Sequence, residues 1–248
     1  MNLKDKIAVV TGGNSGIGFA TAEEFKAQGA RVIIIGRNAD AVNKAAKLLG
    51  GDTTGLTADV TRVADLERAF KTIGEKYGRI DILFANAGIA KFVPFAEVTE
   101  EFFRDTMTTN VNGVYFTIQK ALPYLSDGAS VIVTSSTVAH FGMAGSSVYS
   151  MTKAALNNLV KTLAIELAPR KIRVNVVSPG PIATPIFDKM GLHKEELDQV
   201  AAGILSQVPL GRFGQASEIG KAVAYLASPD STFITGTELL VDGGLAQG

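Results

Sequence analysis

The sequence contains no cysteine, and its charges cancel. Without cysteine the chain can form neither a disulfide framework nor a thiolate metal site. The 24 Lys and Arg residues balance the 24 Asp and Glu residues, so no net field would draw the chain to phosphate backbones or acidic membranes. We therefore expect neither a nucleic-acid partner nor a metal site.

Long apolar runs are also missing. Charged residues, Gly or Pro interrupt every apolar stretch before it reaches the ~18 residues that a membrane-spanning helix requires. The first six residues, MNLKDK, lack the apolar region of a secretory signal. We expect a cytoplasmic protein with no membrane partner.

What the sequence does contain is a regular alternation of short apolar runs and longer periodic segments. The runs are rich in β-branched residues and predict strands at 7–10, 32–35, 80–84, 131–133, 174–177 and 239–241. The periodic segments predict helices at 17–28, 39–49, 62–77, 100–122, 149–167 and 216–227. Because strands that alternate with helices form parallel βαβ units, we predict a single α/β domain over residues 1–248. Its fold class is a Rossmann fold, with a doubly wound sheet covered by helices on both faces.

Residues 181–212 show the weakest pattern in the chain. In an open α/β sheet, a long excursion after the carboxyl end of a strand usually covers the ligand crevice. We therefore predict that this segment covers the substrate.

A glycine-rich loop, TGGNSGIG, joins the first predicted strand to the first predicted helix. Gly12, Gly16 and Gly18 would allow a tight turn and a close approach of the backbone to a pyrophosphate at the helix N-terminus. The alternative is a glycine-rich turn that only connects the strand to the helix. The position of the loop favours dinucleotide binding.

The end of the second predicted strand bears on the choice between NADP and NAD. Gly36 stands where an acidic side chain would bind a free ribose 2′-hydroxyl, and Arg37 offers a guanidinium suited to a 2′-phosphate. The alternative for Arg37 is a solvated loop cation. After the third strand, Asp59 and Val60 are placed to contact the adenine, although Asp59 could instead cap the next helix.

Tyr149 and Lys153 lie one helical turn apart on the same predicted face. A nearby ammonium would lower the pKa of the phenol and make Tyr149 a general acid and base. Ser136 follows the predicted strand 131–133 and could donate a hydrogen bond to a substrate oxygen, with Ser135 as its competitor.

Taken together, these motifs resemble the short-chain dehydrogenase/reductase family over nearly the whole chain. The matches are the glycine loop, Asn86-Ala87-Gly88, the set Asn110, Ser136, Tyr149 and Lys153, and Pro179-Gly180. The resemblance implies a seven-stranded parallel sheet and hydride transfer between a nicotinamide and a carbonyl or alcohol carbon. It implies that Ser136 polarises the carbonyl, Tyr149 delivers the proton and Lys153 binds the nicotinamide ribose and lowers the Tyr149 pKa. Asn110 would hold a water through its backbone, in a helix distorted near residues 110–113.

We assign the cofactor site from these motifs. Its predicted residues are Gly12, Asn14, Ser15, Gly16, Ile17, Gly18, Arg37, Asn38, Asp59, Val60, Asn86, Ala87, Gly88, Tyr149, Lys153, Pro179, Gly180, Ile182 and Thr184. NADP-preferring members of the family can carry a basic residue in the glycine loop, where this chain has Ser15, so the preference rests on Arg37. We predict NADP(H) as the preferred cofactor and NAD(H) as a second one.

The substrate side is predicted to be apolar. Its candidate residues are Phe92, Val138, His140, Phe141, Phe187 and Met190, with His140 alternatively a loop residue. The first hypothesis is an NADPH-dependent reductase of ketones to secondary alcohols. Alternatives are a 3-oxoacyl-[acyl-carrier-protein] reductase, a redox-neutral relative such as a dehydratase and a non-catalytic nucleotide-binding regulator. The apolar helix that starts near Tyr149, together with the resemblance, predicts a homotetramer.

Overall fold

The computed structural model describes residues 1–183 and 202–247. Its strands are β1 (Ile7–Thr11), β2 (Arg31–Gly36), β3 (Thr54–Thr57), β4 (Ile80–Ala85), β5 (Leu125–Thr134), β6 (Arg173–Pro179), β7 (Ile182–Ala183), β8 (Gly214–Gln215) and β9 (Glu238–Val241). Its main helices are α1 (Gly16–Ala27), α2 (Ala39–Leu49), α3 (Val63–Tyr77), α4 (Glu100–Met107), α5 (Gly113–Ala121), α6 (Ser147–Glu166) and α7 (Ala216–Ala227).

Seven of the strands form one sheet, in the order β3-β2-β1-β4-β5-β6-β9. All six neighbouring pairs are parallel. The central strands β1 and β4 are buried along their whole length because helices cover both of their faces. The predicted Rossmann fold with a seven-stranded doubly wound sheet is confirmed.

Two apolar cores lie on the two faces of the sheet. One core joins the sheet to α3, α5 and α6, and includes Phe70, Leu83 and Leu156. The other joins it to α1, α2 and α7, and includes Phe25 and Val223. Both faces are therefore packed, which leaves the strand ends as the place where loops can form a site.

The predicted helix at 100–122 is interrupted. α4 ends at Met107, a π-helical turn covers Thr108–Asn112, and α5 begins at Gly113. The distortion expected near residues 110–113 is thus present and starts two residues earlier. Such a turn widens the helix and commonly marks a functional position.

The predicted covering segment is described only at its ends. Ile182 and Ala183 in β7 pair in parallel with Gly214 and Gln215 in β8. The two ends of the segment are therefore joined to each other beside the sheet. Residues 184–201 lie outside the described part of the chain, as do Thr184, Phe187 and Met190 among the predicted site residues.

Candidate active site

The predicted site residues meet at the carboxyl edge of the sheet. β1 ends at Thr11, β4 at Ala85, β5 at Thr134 and β6 at Pro179, and these four strands are neighbours. The loops that follow them carry the glycine motif, Asn86-Ala87-Gly88, Ser136 and Gly180. The order of the strands reverses between β1 and β4, which leaves a crevice at this edge of the sheet. Open α/β sheets bind their ligands in such a crevice.

The glycine loop has the backbone shape that its sequence predicts. Gly12 and Gly16 have positive φ angles of 67° and 52°, which other residues rarely adopt. A Cβ atom on Gly18 would lie 2.3 Å from the Gly12 carbonyl oxygen. Positive φ at Gly12 and Gly16 and the close backbone approach at Gly18 therefore favour glycine at these positions.

The N-terminus of α1 is open to an anion. Ser15 occupies the N-cap position but makes no side-chain capping hydrogen bond, and the first turn holds no acidic residue. The first N–H groups of this helix, beside Ile17, are thus free for a phosphate, as in dinucleotide-binding folds. The cradle fits a pyrophosphate.

A hydrogen-bond network that sequence reasoning missed holds the neighbouring loop against the glycine motif. The Thr11 hydroxyl accepts hydrogen bonds from the backbone N–H groups of Asn86 (3.0 Å) and Ala87 (3.1 Å). The Asn86 amide donates to the Thr11 carbonyl at 3.2 Å and accepts from the Thr134 hydroxyl at 3.0 Å. Threonine at a strand end is too common a signal to identify this role from sequence.

Asn110 lies in the π-helical turn and is fully buried. Its amide accepts a hydrogen bond from the Ile89 N–H at 2.8 Å and donates to the Ile89 carbonyl at 2.9 Å. Its nitrogen also lies 3.3 Å from the Thr152 hydroxyl. The side chain therefore fixes the loop that follows Gly88, so the Asn110 backbone is the part left for the predicted water.

The structure distinguishes Ser136 from its competitor Ser135. The Ser135 hydroxyl donates to the Lys153 carbonyl at 3.0 Å and is buried among the strand ends. The Ser136 side chain instead lies near enough to the Tyr149 phenol to lower its pKa. Only Ser136 is thus placed beside the predicted acid.

Tyr149 and Lys153 face the same space from α6. The Lys153 ammonium lies 5.5 Å from the centroid of the Tyr149 ring and donates to the Thr134 carbonyl at 2.9 Å. Burial raises the pKa of Tyr149 to about 12, partly offset by the hydrogen bond from Ser136. Burial also lowers the pKa of Lys153 to about 8.

These directions correct one expectation. The pKa of Tyr149 was expected to be lowered, but in the chain itself it is raised, because burial disfavours the charged phenolate. A phenol with a raised pKa is protonated at neutral pH.

At the end of β2, the structure explains why position 36 is glycine. A Cβ atom on Gly36 would lie 2.6 Å from the Asn14 amide oxygen and 2.9 Å from a Val42 methyl group. The Asn14 side chain thus fills the space that an acidic residue at position 36 would use. Arg37 is exposed, and no side chain in residues 1–183 or 202–247 pairs with it.

The other residues predicted to bind the adenosine side have local partners. Asn38 caps α2, accepting a hydrogen bond from the Ala41 N–H at 2.9 Å. One Asp59 oxygen accepts from the Thr61 N–H and hydroxyl, at 2.9 and 2.8 Å, so Asp59 shapes the turn before α3 while α3 itself begins after Arg62. Val60 packs under Gly113 at the start of α5.

Pro179 and Gly180 lie at the carboxyl end of β6. The Pro179 carbonyl accepts a hydrogen bond from the Thr137 hydroxyl at 3.3 Å. A Cβ atom on Gly180 would lie 2.6 Å from the Asp242 Cα, so glycine lets β6 and the chain after β9 approach closely. Ile182, the next predicted contact, is buried.

The loop after Gly88, which carries Phe92, and the loop after Ser136, which carries His140 and Phe141, contact each other directly. The Val93 N–H donates to the Gly145 carbonyl at 2.8 Å. Phe92 packs edge-on against Tyr149, with ring centroids 5.7 Å apart, and remains 40% exposed. Phe141 is partly exposed in the same loop, whereas Val138 is buried.

The His140 side chain has a partner on the edge of the sheet. Its Nε2 atom lies 2.7 Å from a carboxylate oxygen of Glu238 on β9. This places the ring between the loop after β5 and the edge of the sheet, with Glu238 as a partner that sequence reasoning missed. The two residues are 98 positions apart, so no local pattern could have linked them.

In residues 1–183 and 202–247, no helix has the length and apolar content needed to cross a membrane. The same residues bring together no group of three or more His, Asp or Glu side chains that could hold a metal ion.

Comparisons with known proteins agree with the geometry. A family model described as enoyl-(acyl carrier protein) reductase matches residues 12–246. Oxidoreductase asL5 of Sarocladium schorii is 41% identical, over 99% of this chain and 97% of that protein.

Two solved structures extend this likeness to the fold. The 3-ketoacyl-(acyl-carrier-protein) reductase of Brucella melitensis, complexed with NADH, has a TM-score of 0.91 and 32% identity over 99% of this chain and 100% of its own. A blue fluorescent protein from a metagenomic library, in complex with NADPH, has a TM-score of 0.90 and 32% identity over the same shares. This chain therefore belongs to the short-chain dehydrogenase/reductase family, whose members are oxidoreductases acting on CH–OH and C=O groups.

Proposed function

We propose that this chain catalyses the reversible, NADPH-dependent reduction of a ketone to a secondary alcohol. The observation that carries the proposal is the contact of Ser136 with Tyr149, beside Lys153, at the sheet edge that also holds the glycine loop. One hydride and one proton must reach the carbonyl, and this arrangement offers a proton donor next to a dinucleotide cradle.

The chain's own residues would divide the work as follows. Bound NADPH would supply the hydride to the carbonyl carbon. Ser136 would donate a hydrogen bond to the carbonyl oxygen, and the Tyr149 phenol would transfer its proton to the same oxygen as charge develops there. The Lys153 ammonium donates one hydrogen bond to the Thr134 carbonyl. Its remaining N–H donors suit it to the cofactor's ribose hydroxyls.

The proposed preference for NADPH rests on Arg37 and Asn14. Arg37 is an unpaired exposed cation within the described residues, and Asn14 lies over Gly36, so a 2′-phosphate would meet a guanidinium and an amide and no carboxylate. NADH would lack the charged partner of Arg37 but could still occupy the cradle.

Replacement of Arg37 tests this preference. We expect Arg37→Ala to raise the Kd for NADPH by about tenfold or more, since a charge-assisted hydrogen bond contributes roughly 1.5 to 3 kcal/mol, and to leave the Kd for NADH nearly unchanged. Fluorescence titration with both cofactors measures this. Arg31→Ala, at the opposite end of β2 where Arg31 pairs with Asp52, is the matched control. An equal loss for both cofactors would refute the role of Arg37.

An apolar ketone is the proposed substrate class. Phe92 presents a partly exposed ring beside Tyr149, and Met143 is 37% exposed on the adjoining loop. Lys91 is the only charged residue in the segments 90–95 and 138–144. A carboxylate or phosphate substrate would thus find little charge complement on these two walls.

The test of the proposed function compares substrates at saturating NADPH. We expect an aryl ketone to show a higher kcat/KM than a free sugar or a small keto acid, with NADPH consumption followed at 340 nm. A tenfold preference for the sugar or the keto acid would overturn the substrate class. Absence of NADPH consumption with every carbonyl would favour a redox-neutral activity.

The second candidate, reduction of 3-oxoacyl groups on an acyl carrier protein, meets an unfavourable feature. Acyl carrier proteins are acidic, so a carrier site needs basic side chains that are free to pair with it. The Arg170 guanidinium already donates to Asp127 at 3.0 Å and to the Leu122 carbonyl at 3.1 Å. We therefore expect a 3-oxoacyl group to be reduced no faster on the carrier than on a small thiol. A tenfold higher kcat/KM for the carrier thioester would favour this second function.

The proposed homotetramer rests on the exposed side of α6. Leu156 and Val160, two apolar residues of this helix, are buried in the core of their own subunit. Met151 and Ile165 remain 43% and 77% exposed. Together with the exposed residues Ala155, Asn158 and Thr162, they form one stripe along the helix, with alternating spacings of four and three residues. This stripe fits a helix of a second copy.

Light scattering tests the assembly. We expect a particle of four times the 26.0 kDa chain mass at micromolar concentration. Ile165→Arg should reduce that mass, because it buries a charge in the proposed contact, whereas Leu48→Arg on α2 should leave it unchanged. A wild-type monomer would refute the tetramer.

A further inference from the structure

A carboxylate that the proposed reaction does not use lies behind the loop that carries Ser136. Glu238, the first residue of β9, is 19% exposed and contacts three separate elements. One oxygen lies 2.7 Å from His140 Nε2 and also accepts from the Ser178 hydroxyl. The other oxygen accepts from the Asn157 amide at 2.9 Å.

These partners lead to the proposed catalytic residues. His140 ends the short helical turn Thr137–Ala139, for which Ser136 is the N-cap. Asn157 lies on α6 one turn after Lys153, and hence on the same side of the helix. Glu238 thus connects the segment that bears Ser136 with the helix that bears Tyr149 and Lys153.

The Asn157 amide shows that the carboxylate sets the local orientation. Its oxygen is buried without a hydrogen-bond partner among the described residues, while its nitrogen points at Glu238. The amide thus leaves its own oxygen unpaired and gives its N–H to Glu238, as a carboxylate, which accepts hydrogen bonds, requires. Three donors from three elements converge on this one side chain.

We propose that Glu238 is a positioning residue for the reduction: through His140 and Asn157 it holds the 136–140 segment and α6 in the relative placement that brings Ser136 to Tyr149. The inference rests on the proposed function. It also gives His140 a structural task in place of the substrate contact that the sequence suggested.

The mechanism of this effect is geometric. The segment is held at its start by the Ser135 hydroxyl on the Lys153 carbonyl and the Thr137 hydroxyl on the Pro179 carbonyl, and at its end by His140 on Glu238. Loss of the anchor at His140 would leave the turn that Ser136 caps held only at its start. Small displacements of a group that acts in the transition state lower kcat more than they change ground-state binding.

Kinetics of Glu238 variants test the proposal. We expect Glu238→Ala to lower kcat about ten- to a hundredfold, with KM for the ketone and Kd for NADPH within about twofold. Glu238→Gln should restore most of kcat, because its amide can accept from Asn157 or Ser178 and donate to a neutral His140 ring. Glu67→Ala, which removes only an exposed ion pair with Lys120, is the control.

The pair His140 and Glu238 should act as a unit. His140→Ala should lower kcat to a similar extent, and the double variant should lose no more than the larger single loss. If Glu238→Ala does not fold, His140→Ala carries the same test from the more exposed partner. An unchanged kcat, or a change confined to KM, would overturn the proposal.

Hydrogen exchange separates this inference from the proposed function. We expect faster exchange of the backbone N–H groups of residues 137–140 in Glu238→Ala and no change there in Glu67→Ala. A wild type that reduces no carbonyl would refute the proposed function, whereas the exchange rates of residues 137–140 could still be measured in both variants. An active wild type with unaltered exchange and kcat in Glu238→Ala would refute the positioning role alone.

Discussion

Tyr149→Phe is expected to retain NADPH binding and to lose about 10²- to 10⁴-fold in kcat. The substitution keeps the ring that packs against Phe92 and removes only the hydroxyl that contacts Ser136. Because burial raises the pKa of this phenol to about 12, it stays protonated through the neutral range and serves as a donor there. Steady-state kinetics and cofactor titration measure the two effects separately.

The control for this variant is Tyr225→Phe, which removes a phenol from α7 without touching Ser136. It should leave kcat within about twofold of wild type, as substitutions away from special features usually do. If Tyr149→Phe kept more than a tenth of the wild-type kcat, the proton would have to come from another group.

Lys153→Met should abolish most activity and change the pH dependence of stability. Removing one charged stabilising group from such a site typically costs about 10² to 10³ in kcat. The folded pKa of Lys153, about 8, lies below its unfolded value of 10.5, so the unfolded chain binds more protons between these values. This residue therefore makes the wild type more stable as pH rises from 8 toward 10.5.

Methionine does not titrate, so the Lys153→Met variant lacks this increase of stability with pH. One proton corresponds to about 1.4 kcal/mol per pH unit, so we expect the wild type to gain roughly 1 to 3 kcal/mol relative to Lys153→Met between pH 7.5 and 9.5. Tyr149 acts in the opposite direction, but only between its unfolded pKa of 10.0 and its folded value of about 12. Urea unfolding at fixed protein concentration gives the difference.

Lys44→Met, at an exposed position of α2, is the matched control and should show the wild-type slope. Equal slopes for the wild type and Lys153→Met would mean that the Lys153 ammonium is not desolvated in the folded chain.

The fold could be read from the sequence because its signals are local. Apolar β-branched runs predicted six strands near their observed positions, and the glycine loop lies where the strand-to-helix junction requires it. β3 carries no comparable run, since it is a four-residue edge strand containing Gly55. Tyr149 and Lys153 were linked by helical spacing alone.

Tertiary structure decided what depends on side-chain direction and on residues distant in the chain. Ser135 and Ser136 are adjacent in sequence, and only the packing of β5 against α6 turns one to Lys153 and the other to Tyr149. The sign of the Tyr149 pKa shift followed from burial, which spacing cannot express. The Thr11 contacts with Asn86 and the Glu238 contacts with His140 join residues 75 and 98 positions apart. Such contacts form only when the sheet brings strand ends together, so the sequence by itself determined the chemistry available and the fold determined which side chains share it.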